Sequence, residues 1–332
     1  MTFLRRVVPL LLLGLTVFGA GPTAEEPRRP RYSRLLEPPM RHEIFRKPRS
    51  VTADLHTGEV FVCDTMRHRI VIFDKRGVLL YQINGGSSFR APLDIAVHPE
   101  GYLFVVGRHQ GQPAVIKLDF DGQFLGVLDF AALAELENPI QPMSVAISPS
   151  GDRLYVVDVA NHLLIIADGE GIVETTVDLI AGMEPELSRE QIYAHVDAYA
   201  DTVLVARPTL GTVHLFAPDG EPRGHVGLYG TGRCQSAFPM AAALDDQGHV
   251  LILDQRRMLF TLWDPSNNKC LDEFYGMGMH PGGLYAPEDL TLDAGGRVYI
   301  AQTREGRIQV YEGGWPAALP AEANEPAETP AE

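Results

Sequence analysis

Cysteine is scarce in this chain, and so are long apolar runs and basic residues. Three cysteines occur in 332 residues, which is too few for a fold held together mainly by disulfides. Lysine and arginine number 28 against 43 acidic residues, a formal charge of −15. Such an acidic chain argues against general nucleic-acid binding.

The one long apolar run lies at the start of the chain. Arg5 and Arg6 precede residues 7–18, which are too few to span a bilayer, and the small residues of "GAGPTA" follow. We expect residues 1–24 to be a secretory signal peptide, with an uncleaved anchor as the alternative. Cleavage would leave a periplasmic or secreted protein without a transmembrane anchor. The last stretch, "PAEANEPAETPAE", predicts a disordered acidic tail over residues 315–332.

Between these ends the sequence repeats. Six copies of a β-rich unit can be aligned on Pro48, Pro92, Pro142, Tyr193, Pro239 and Pro287, at spacings of 44, 50, 51, 46 and 48 residues. Each complete copy has four short, mostly apolar runs such as "LFVVG" and "LYVVD". Apolar runs of this kind predict strands covered on both faces. The period and the strand number indicate an all-β, six-bladed β-propeller.

The sixth copy, "YAPEDLTLDAGGRVYIAQTREGRIQVYEGG", contains only three such runs. Residues 32–46 precede the first copy and contain "YSRLL" and "HEIF". We expect this N-terminal segment to complete the last blade as its outer strand, which closes the ring and leaves no long unpaired edge. The predicted organisation is therefore a linker and the start of the closing strand over residues 25–40, then a propeller over residues 41–314.

The unit "P-x-D-x-x-x-D-x-x-G-x-x-Y-x-A-x…R-I-x-V-[FY]", seen in residues 287–311 and 50–73, resembles the repeat of NHL propellers. Exported NHL propellers are often associated with multihaem cytochromes, so the resemblance implies a binding or scaffolding role. Related amidating lyases use several His residues with Tyr and Arg around a channel metal, and related lactonases use Glu, Asn and Asp around calcium. Neither residue set can be carried over to this sequence position by position.

Propeller geometry places the loops between the second and third strands on the same face as the start of the innermost strands. We call this end of the ring the mouth face. Its six loops are rich in Arg and contain no Lys, and Arg suits bidentate binding of carboxylate or phosphate. We expect Arg69 and Arg307 to brace loops, as in NHL repeats. The candidate residues for binding an anionic small molecule or an acidic protein are Arg49, Arg67, Arg108, Arg207, Arg256, Arg257 and Arg304.

A second candidate site lies where the innermost strands begin. Alignment of the six units places equivalent residues in a ring there: Ser50, Asp94, Ser144, His195, Ala241 and Asp289. Asp94, His195 and Asp289 come from alternate blades and could hold a divalent metal, calcium or zinc, or act as acid and base. The other interpretation is structural, because Asp at this point can satisfy backbone amides.

The cysteines are predicted to be unreactive. Cys63 should be a small core residue. Cys234 precedes the fifth blade and Cys270 begins that blade's outer strand, so strand rise would separate them by about 15 Å. That distance is too long for a disulfide, and we expect free thiols.

These patterns favour an exported, non-catalytic binding or scaffolding propeller with an acidic protein or an anionic small molecule as its partner. A multihaem cytochrome is one such partner. The alternative is a metal-dependent hydrolase or lyase, lactonase-like or amidating-lyase-like, with its site at the channel mouth.

Overall fold

The computed structural model describes residues 30–312 except 41, 185 and 187–189. The predicted signal peptide and acidic tail lie outside these residues. The apolar runs form 24 strands in six antiparallel sheets of four strands each. The predicted six-bladed propeller is therefore confirmed. Within the described residues no helix is long and apolar enough to cross a membrane.

The strands follow the repeat closely. The first strand is β1 (Arg31–Leu36). Blade I contains β2 (Pro48–Ala53), β3 (Val60–Asp64), β4 (Arg69–Phe73) and β5 (Leu79–Asn84). Blade II contains β6 (Arg90–Val97), β7 (Leu103–His109), β8 (Gln112–Leu118) and β9 (Phe124–Val127). Blade III contains β10 (Pro142–Ile147), β11 (Arg153–Asp158), β12 (Leu163–Asp168) and β13 (Val173–Asp178).

Blade IV contains β14 (Val196–Tyr199), β15 (Thr202–Arg207), β16 (Thr212–Phe216) and β17 (Pro222–Val226). Blade V contains β18 (Pro239–Leu244), β19 (Val250–Asp254), β20 (Leu259–Asp264) and β21 (Lys269–Phe274). Blade VI contains β22 (Pro287–Leu292), β23 (Val298–Gln302) and β24 (Arg307–Glu312). Short 3-10 helices occupy Thr65–Arg67, Ala131–Leu133 and Pro208–Leu210.

The fourth strand of blade VI is β1. It pairs antiparallel with β24, with Tyr32 opposite Tyr311 and Leu36 opposite Ile308. Leu36 is buried in the core between blades VI and I. The N-terminal strand thus completes the last blade, as the truncated sixth copy predicts, and the ring has no open seam.

The core lies between neighbouring blades rather than at one centre. Leu253 of blade V, for example, packs in one cluster with Leu290 and Ile300 of blade VI. All five residues of β3 are buried, because both of its faces are covered by neighbouring blades. This arrangement explains why the inner strands are apolar at consecutive positions instead of alternating.

Turn glycines before the outer strands bring successive blades together. Gly122 has φ of 82°, and an added Cβ would lie 2.5 Å from Ile83 of the preceding blade's outer strand. Gly171 makes the same approach to Leu128, at 2.7 Å. The turn that starts one outer strand therefore packs against the end of the previous outer strand. Contacts of this kind join neighbouring blades at the rim of the ring.

Cys234 and Cys270 form a disulfide, with an S–S distance of 2.02 Å and Cα atoms 5.7 Å apart. The expectation of free thiols at these two positions is wrong. Adjacent strands rotate by roughly 20–25°, so an outer strand is turned by about 60–75° from the inner strand. Outer strands therefore run around the rim. The start of β21 lies beside the end of blade IV, where the Gly227 amide donates to Asn268 Oδ1 at 3.0 Å.

The prediction for the third cysteine is confirmed. Cys63 is a free thiol and is fully buried in β3. Burial raises the pKa of this thiol well above its usual value, and the nearby carboxylates of Asp94, Asp289 and Asp64 add to the effect. Cys63 is therefore a neutral core side chain.

Candidate functional site

The six aligned residues do meet at the axis of the propeller. In five blades the inner strand has a register shift directly before the aligned residue, for example between Pro48 and Ser50 and between Pro287 and Asp289. A β-bulge at this point re-aims the next side chain. The repeated Pro-x-polar pattern in the sequence therefore builds a ring of side chains at the start of the inner strands.

Asp94 occupies the centre of the hydrogen-bond network on one side of this ring. Its carboxylate accepts from Ser50 Oγ at 2.7 Å and from Ser144 Oγ at 2.5 Å. The backbone amides of Ile95 and Val145 donate to it as well, both at 2.9 Å. A carboxylate has about four acceptor positions, and four donors use them here. Asp94 therefore has no free lone pair for a metal ion.

Asp289 completes the ring on the other side. It accepts from the amides of Val51 and Leu290, both at 2.9 Å. His195 Nε2 lies 3.3 Å from Asp289 Oδ1, so this contact joins blade IV directly to blade VI. The aligned residue of blade V, between them in the ring, is Ala241. On the far side the Val196 amide donates to Ser144 Oγ at 2.9 Å.

These contacts form a closed circuit, which we call the belt. It passes from Asp289 in blade VI through blades I, II and III to blade IV, and His195 returns to Asp289. Because each link joins two blades, the belt fastens the propeller at its axis. Blade V contributes only the methyl group of Ala241.

The charges in the belt stabilise one another. Burial alone would lower the pKa of His195, but the carboxylates of Asp289, Asp94 and Asp197 together raise it. Burial, together with Asp94, raises the pKa of Asp289, and His195 and the Val51 amide oppose this rise. The arrangement favours a protonated imidazole beside Asp289, whose carboxyl group accepts from two amides.

The belt lies between two small cavities, both of which Asp94 and His195 line. The cavity on the mouth side has a volume of about 20 Å³. Leu93, Met143 and Met240 close it, together with an Arg49–Glu288 ion pair at 3.1 Å. The cavity on the opposite side has a volume of about 100 Å³. The space on the mouth side of the ring is therefore about that of one water molecule.

Asp94, His195 and Asp289 are thus brought together as the alignment predicts, but their donor atoms are used within the protein. Among the described residues, no group of three His, Cys, Asp or Glu side chains is arranged to hold a metal ion. The set does not fit a calcium or zinc site, since Asp94 is saturated and two amides occupy Asp289.

The mouth-face arginines fall into two groups. In the first group the guanidinium has partners in the protein. Arg67 pairs with Glu43 at 2.7 Å, and Arg257 pairs with Glu273 at 2.9 Å. Arg207 is buried. The sequence did not predict either acidic partner. Glu43 lies before the first repeat, and Glu273 lies in the outer strand of blade V rather than in a mouth-face loop.

In the second group the side chains are exposed. Arg108 donates to the carbonyl of Gly111, Arg256 lies 5.7 Å from the ring centroid of Phe238, and Arg304 donates to the Tyr285 hydroxyl at 3.1 Å. None of the three has a carboxylate of the described residues within 4.0 Å. Their charges are therefore available to solvent.

Arg69 and Arg307 brace loops, as expected from the repeat pattern. Arg69 is buried, with Nη2 at 2.8 Å from Asp64 and 3.1 Å from Glu43. Arg307 donates to the carbonyl oxygens of Met279 and Gly283 at 2.8 and 3.2 Å. These residues hold the joints before blades I and VI in place.

On the opposite face the acidic residues mostly serve the hairpin turns. Asp74 accepts from the amides of Arg76 and Val78, both at 2.9 Å. Asp245 accepts from Gln247 and His249 in the same way. Such turn bonds are the usual role of Asp at hairpins, so this face needs no ligand to explain its charge.

Comparison with known proteins supports the fold alone. No family model matches this chain, and no curated protein matches it. A crystal structure of a structural genomics protein of unknown function from Bacteroides thetaiotaomicron is similar, with a TM-score of 0.59 and 15% sequence identity. The similarity covers 82% of this chain and 70% of the other. The chain is therefore a six-bladed β-propeller whose axis is fastened by an internal belt.

Proposed function

We propose that this protein is an exported, non-catalytic binding propeller of the NHL type. Its partner is an acidic protein, which it binds through the exposed arginines of the mouth face. The single observation that carries the proposal is the exposure of Arg108, Arg256 and Arg304 in three different blades without a carboxylate partner among the described residues.

The chemistry of these side chains suits a carboxylate-bearing surface. A guanidinium offers a planar fork that binds carboxylate in a bidentate manner, and it is more weakly hydrated than an ammonium group. Arg49 and Arg67 lie on the same face, and each has about a third of its side chain exposed beside its internal partner. Complementary charge of this kind raises the association rate and selects the partner.

A rigid scaffold favours this role. The blades are joined by packed interfaces and by the belt, so the mouth-face loops are held at fixed separations. Loops placed on such a frame commonly bear binding residues. The resemblance to exported NHL propellers makes a multihaem cytochrome with an acidic surface one partner to test.

Catalysis at the ring has less support. A metal-dependent hydrolase or lyase would need open ligand positions on Asp94, His195 and Asp289 and a path for substrate. The carboxylates are occupied by amides and hydroxyls, and the mouth-side cavity that they line has a volume of only about 20 Å³. We therefore assign binding, not catalysis.

The proposal is tested with a charge-reversal variant that combines Arg108→Glu, Arg256→Glu and Arg304→Glu. Binding to labelled poly-L-glutamate, followed by fluorescence anisotropy at low salt, should weaken by at least about tenfold. Arg76→Glu is the matched control, because Arg76 is exposed on the opposite face. Equal binding by the triple variant and the wild type would overturn the proposal.

A further inference from the structure

Blade IV departs from the other blades at one buried position. In four blades the last residue of the second strand is an acceptor that binds a backbone amide of the segment leading into the blade, as the Gln141 amide binds Asp158 at 2.7 Å. These acceptors are Asp64, Asp158, Asp254 and Gln302. In blade IV the equivalent residue is Arg207. A permanent donor therefore stands where four of the other five blades use an acceptor.

Arg207 is 4% exposed. Its Nη2 donates to Gln191 Oε1 at 3.0 Å and contacts Met183 Sδ at 3.2 Å, but its Nε has no partner. No carboxylate of the described residues lies within 4.0 Å of the guanidinium. Burial lowers the pKa of Arg207, yet a guanidinium keeps its proton in proteins. Among the residues described, the charge is thus buried without a counter-ion.

Other buried polar groups lie beside Arg207 or beside Tyr193, which Arg207 contacts. Arg207 Cζ lies 5.4 Å from the ring centroid of Tyr193, which is 1% exposed. The ring of His162 lies 5.8 Å from the same centroid, and Thr212 is paired with Arg207 across the β15–β16 hairpin. The Tyr193 hydroxyl, His162 Nδ1 and Thr212 Oγ1 are all buried and have no hydrogen-bond partner within 3.5 Å among the residues described, and the Tyr193 hydroxyl interacts with Arg207 at longer range.

These groups are all able to donate a hydrogen bond. Burial raises the pKa of Tyr193 to about 12, so its hydroxyl remains protonated. A hydroxyl and a neutral imidazole donate as well as accept. The carboxylate of Asp178 adds to the rise in the pKa of Tyr193. Asp178 is exposed at the end of β13, and its carboxylate accepts a hydrogen bond from the Ile180 amide. It does not pair with Arg207.

The groups that face the cluster from β16 and β17 are also cationic or neutral. Burial lowers the pKa of His214 to about 3, and Arg207 and His225 lower it further. His214 is therefore neutral and supplies no opposite charge to Arg207. A buried charge without an opposite charge is strongly unfavourable, as is a buried polar atom without a hydrogen bond.

We propose that Arg207, Tyr193, His162 and Thr212 form a binding site for a small oxyanion, a carboxylate or a phosphate, between blades III and IV. The anion supplies the acceptors that Asp or Gln supplies in blades I, III, V and VI. The site differs from the exposed arginines that bind the partner, so the two proposals can fail independently.

The test is thermal denaturation of the purified protein at pH 7 in sodium chloride, sodium acetate and sodium phosphate of equal ionic strength. We expect a saturable rise in Tm with acetate or phosphate beyond that in chloride, and the anion that produces it identifies the ligand chemistry. In Arg207→Met the apparent affinity should fall roughly ten- to hundredfold. Arg76→Met, which changes an exposed arginine on the opposite face, is the control and should keep the full response.

Phosphate also stabilises proteins by exclusion from their surface, but that effect is the same in all variants and does not saturate. No saturable rise in the wild type, or an equal rise in Arg207→Met, would refute the site. If Arg207→Met does not fold, Tyr193→Phe decides, since it removes only the hydroxyl. An affinity weaker by several-fold in Tyr193→Phe supports the site, and an unchanged affinity refutes it.

Discussion

Asp94→Ala is expected to destabilise the whole propeller, because the carboxylate of Asp94 joins three blades at the axis. It accepts hydroxyl bonds from Ser50 in blade I and Ser144 in blade III, in addition to two backbone amides. Alanine leaves these four donors without their acceptor in a buried environment. The loss is expected to appear as lower global stability rather than as a local change.

The size of the effect follows from the two amides of Ile95 and Val145, which cannot turn to other acceptors. Each buried donor left unsatisfied costs about 1–3 kcal/mol. The serine hydroxyls can rotate to other acceptors, and removal of one carboxylate relieves its repulsion with Asp289. Both effects reduce the loss of stability. We expect the free energy of unfolding to fall by about 2–5 kcal/mol, a large part of the roughly 5–15 kcal/mol typical of a domain.

The assay is urea denaturation followed by far-ultraviolet circular dichroism, with and without EDTA. Asp94→Asn keeps one acceptor oxygen and should lose less stability than Asp94→Ala. Asp219→Ala, an exposed turn position on the opposite face, should stay within about 0.5 kcal/mol of the wild type. Two results would refute the reasoning: wild-type stability in Asp94→Ala, or a wild-type midpoint that EDTA lowers.

Two further predictions concern the belt and the disulfide. The raised pKa of His195 means that the stability contributed by its protonation is fully present below about pH 6.5, the unfolded value, and is lost as pH rises through the higher folded value. The pKa of Asp289 is also raised, which adds a loss of stability in the same direction as pH rises. Tm should therefore fall above pH 6.5, and fall less in His195→Gln; parallel pH profiles would contradict this. Reduction of the Cys234–Cys270 disulfide, which closes a loop of 36 residues, should lower the free energy of unfolding by about 3–4 kcal/mol. Cys234→Ser should match the reduced protein in urea denaturation, and a reduced protein as stable as the oxidised one would refute the estimate.

Much of the fold could be predicted from the sequence because the repeat is regular. The truncated sixth unit implies that β1 closes the ring, and β1 does pair with β24. Alignment of the inner strands also placed Asp94, His195 and Asp289 together, since the same bulge recurs in neighbouring units.

The remaining features depend on geometry that a linear alignment does not contain. The Cys234–Cys270 disulfide arises because twist carries the outer strand around the rim, whereas an estimate from strand rise alone separates the two residues. The partner of Arg67 is Glu43, which lies outside the repeats in the segment between β1 and β2. The burial of Arg207 could not be predicted either, because Arg207 and the exposed Arg108 both lie where the second strand of a blade ends.

The same contacts explain why a ring of acidic and imidazole groups need not be an active site. In this propeller the polar residues at the axis join the blades to one another. A buried, fully satisfied network specifies one arrangement of the blades. The network also holds the loops of the mouth face in position, which is where we propose that the partner binds.

The most direct test of this account compares two variants in one binding measurement. Labelled poly-L-glutamate is titrated with the wild type, with the Arg108→Glu, Arg256→Glu and Arg304→Glu triple variant, and with Asp94→Asn. The account predicts that the triple variant loses binding and that Asp94→Asn, where folded, binds as the wild type does. Loss of binding in folded Asp94→Asn together with full binding by the triple variant would contradict it and would move the site to the ring.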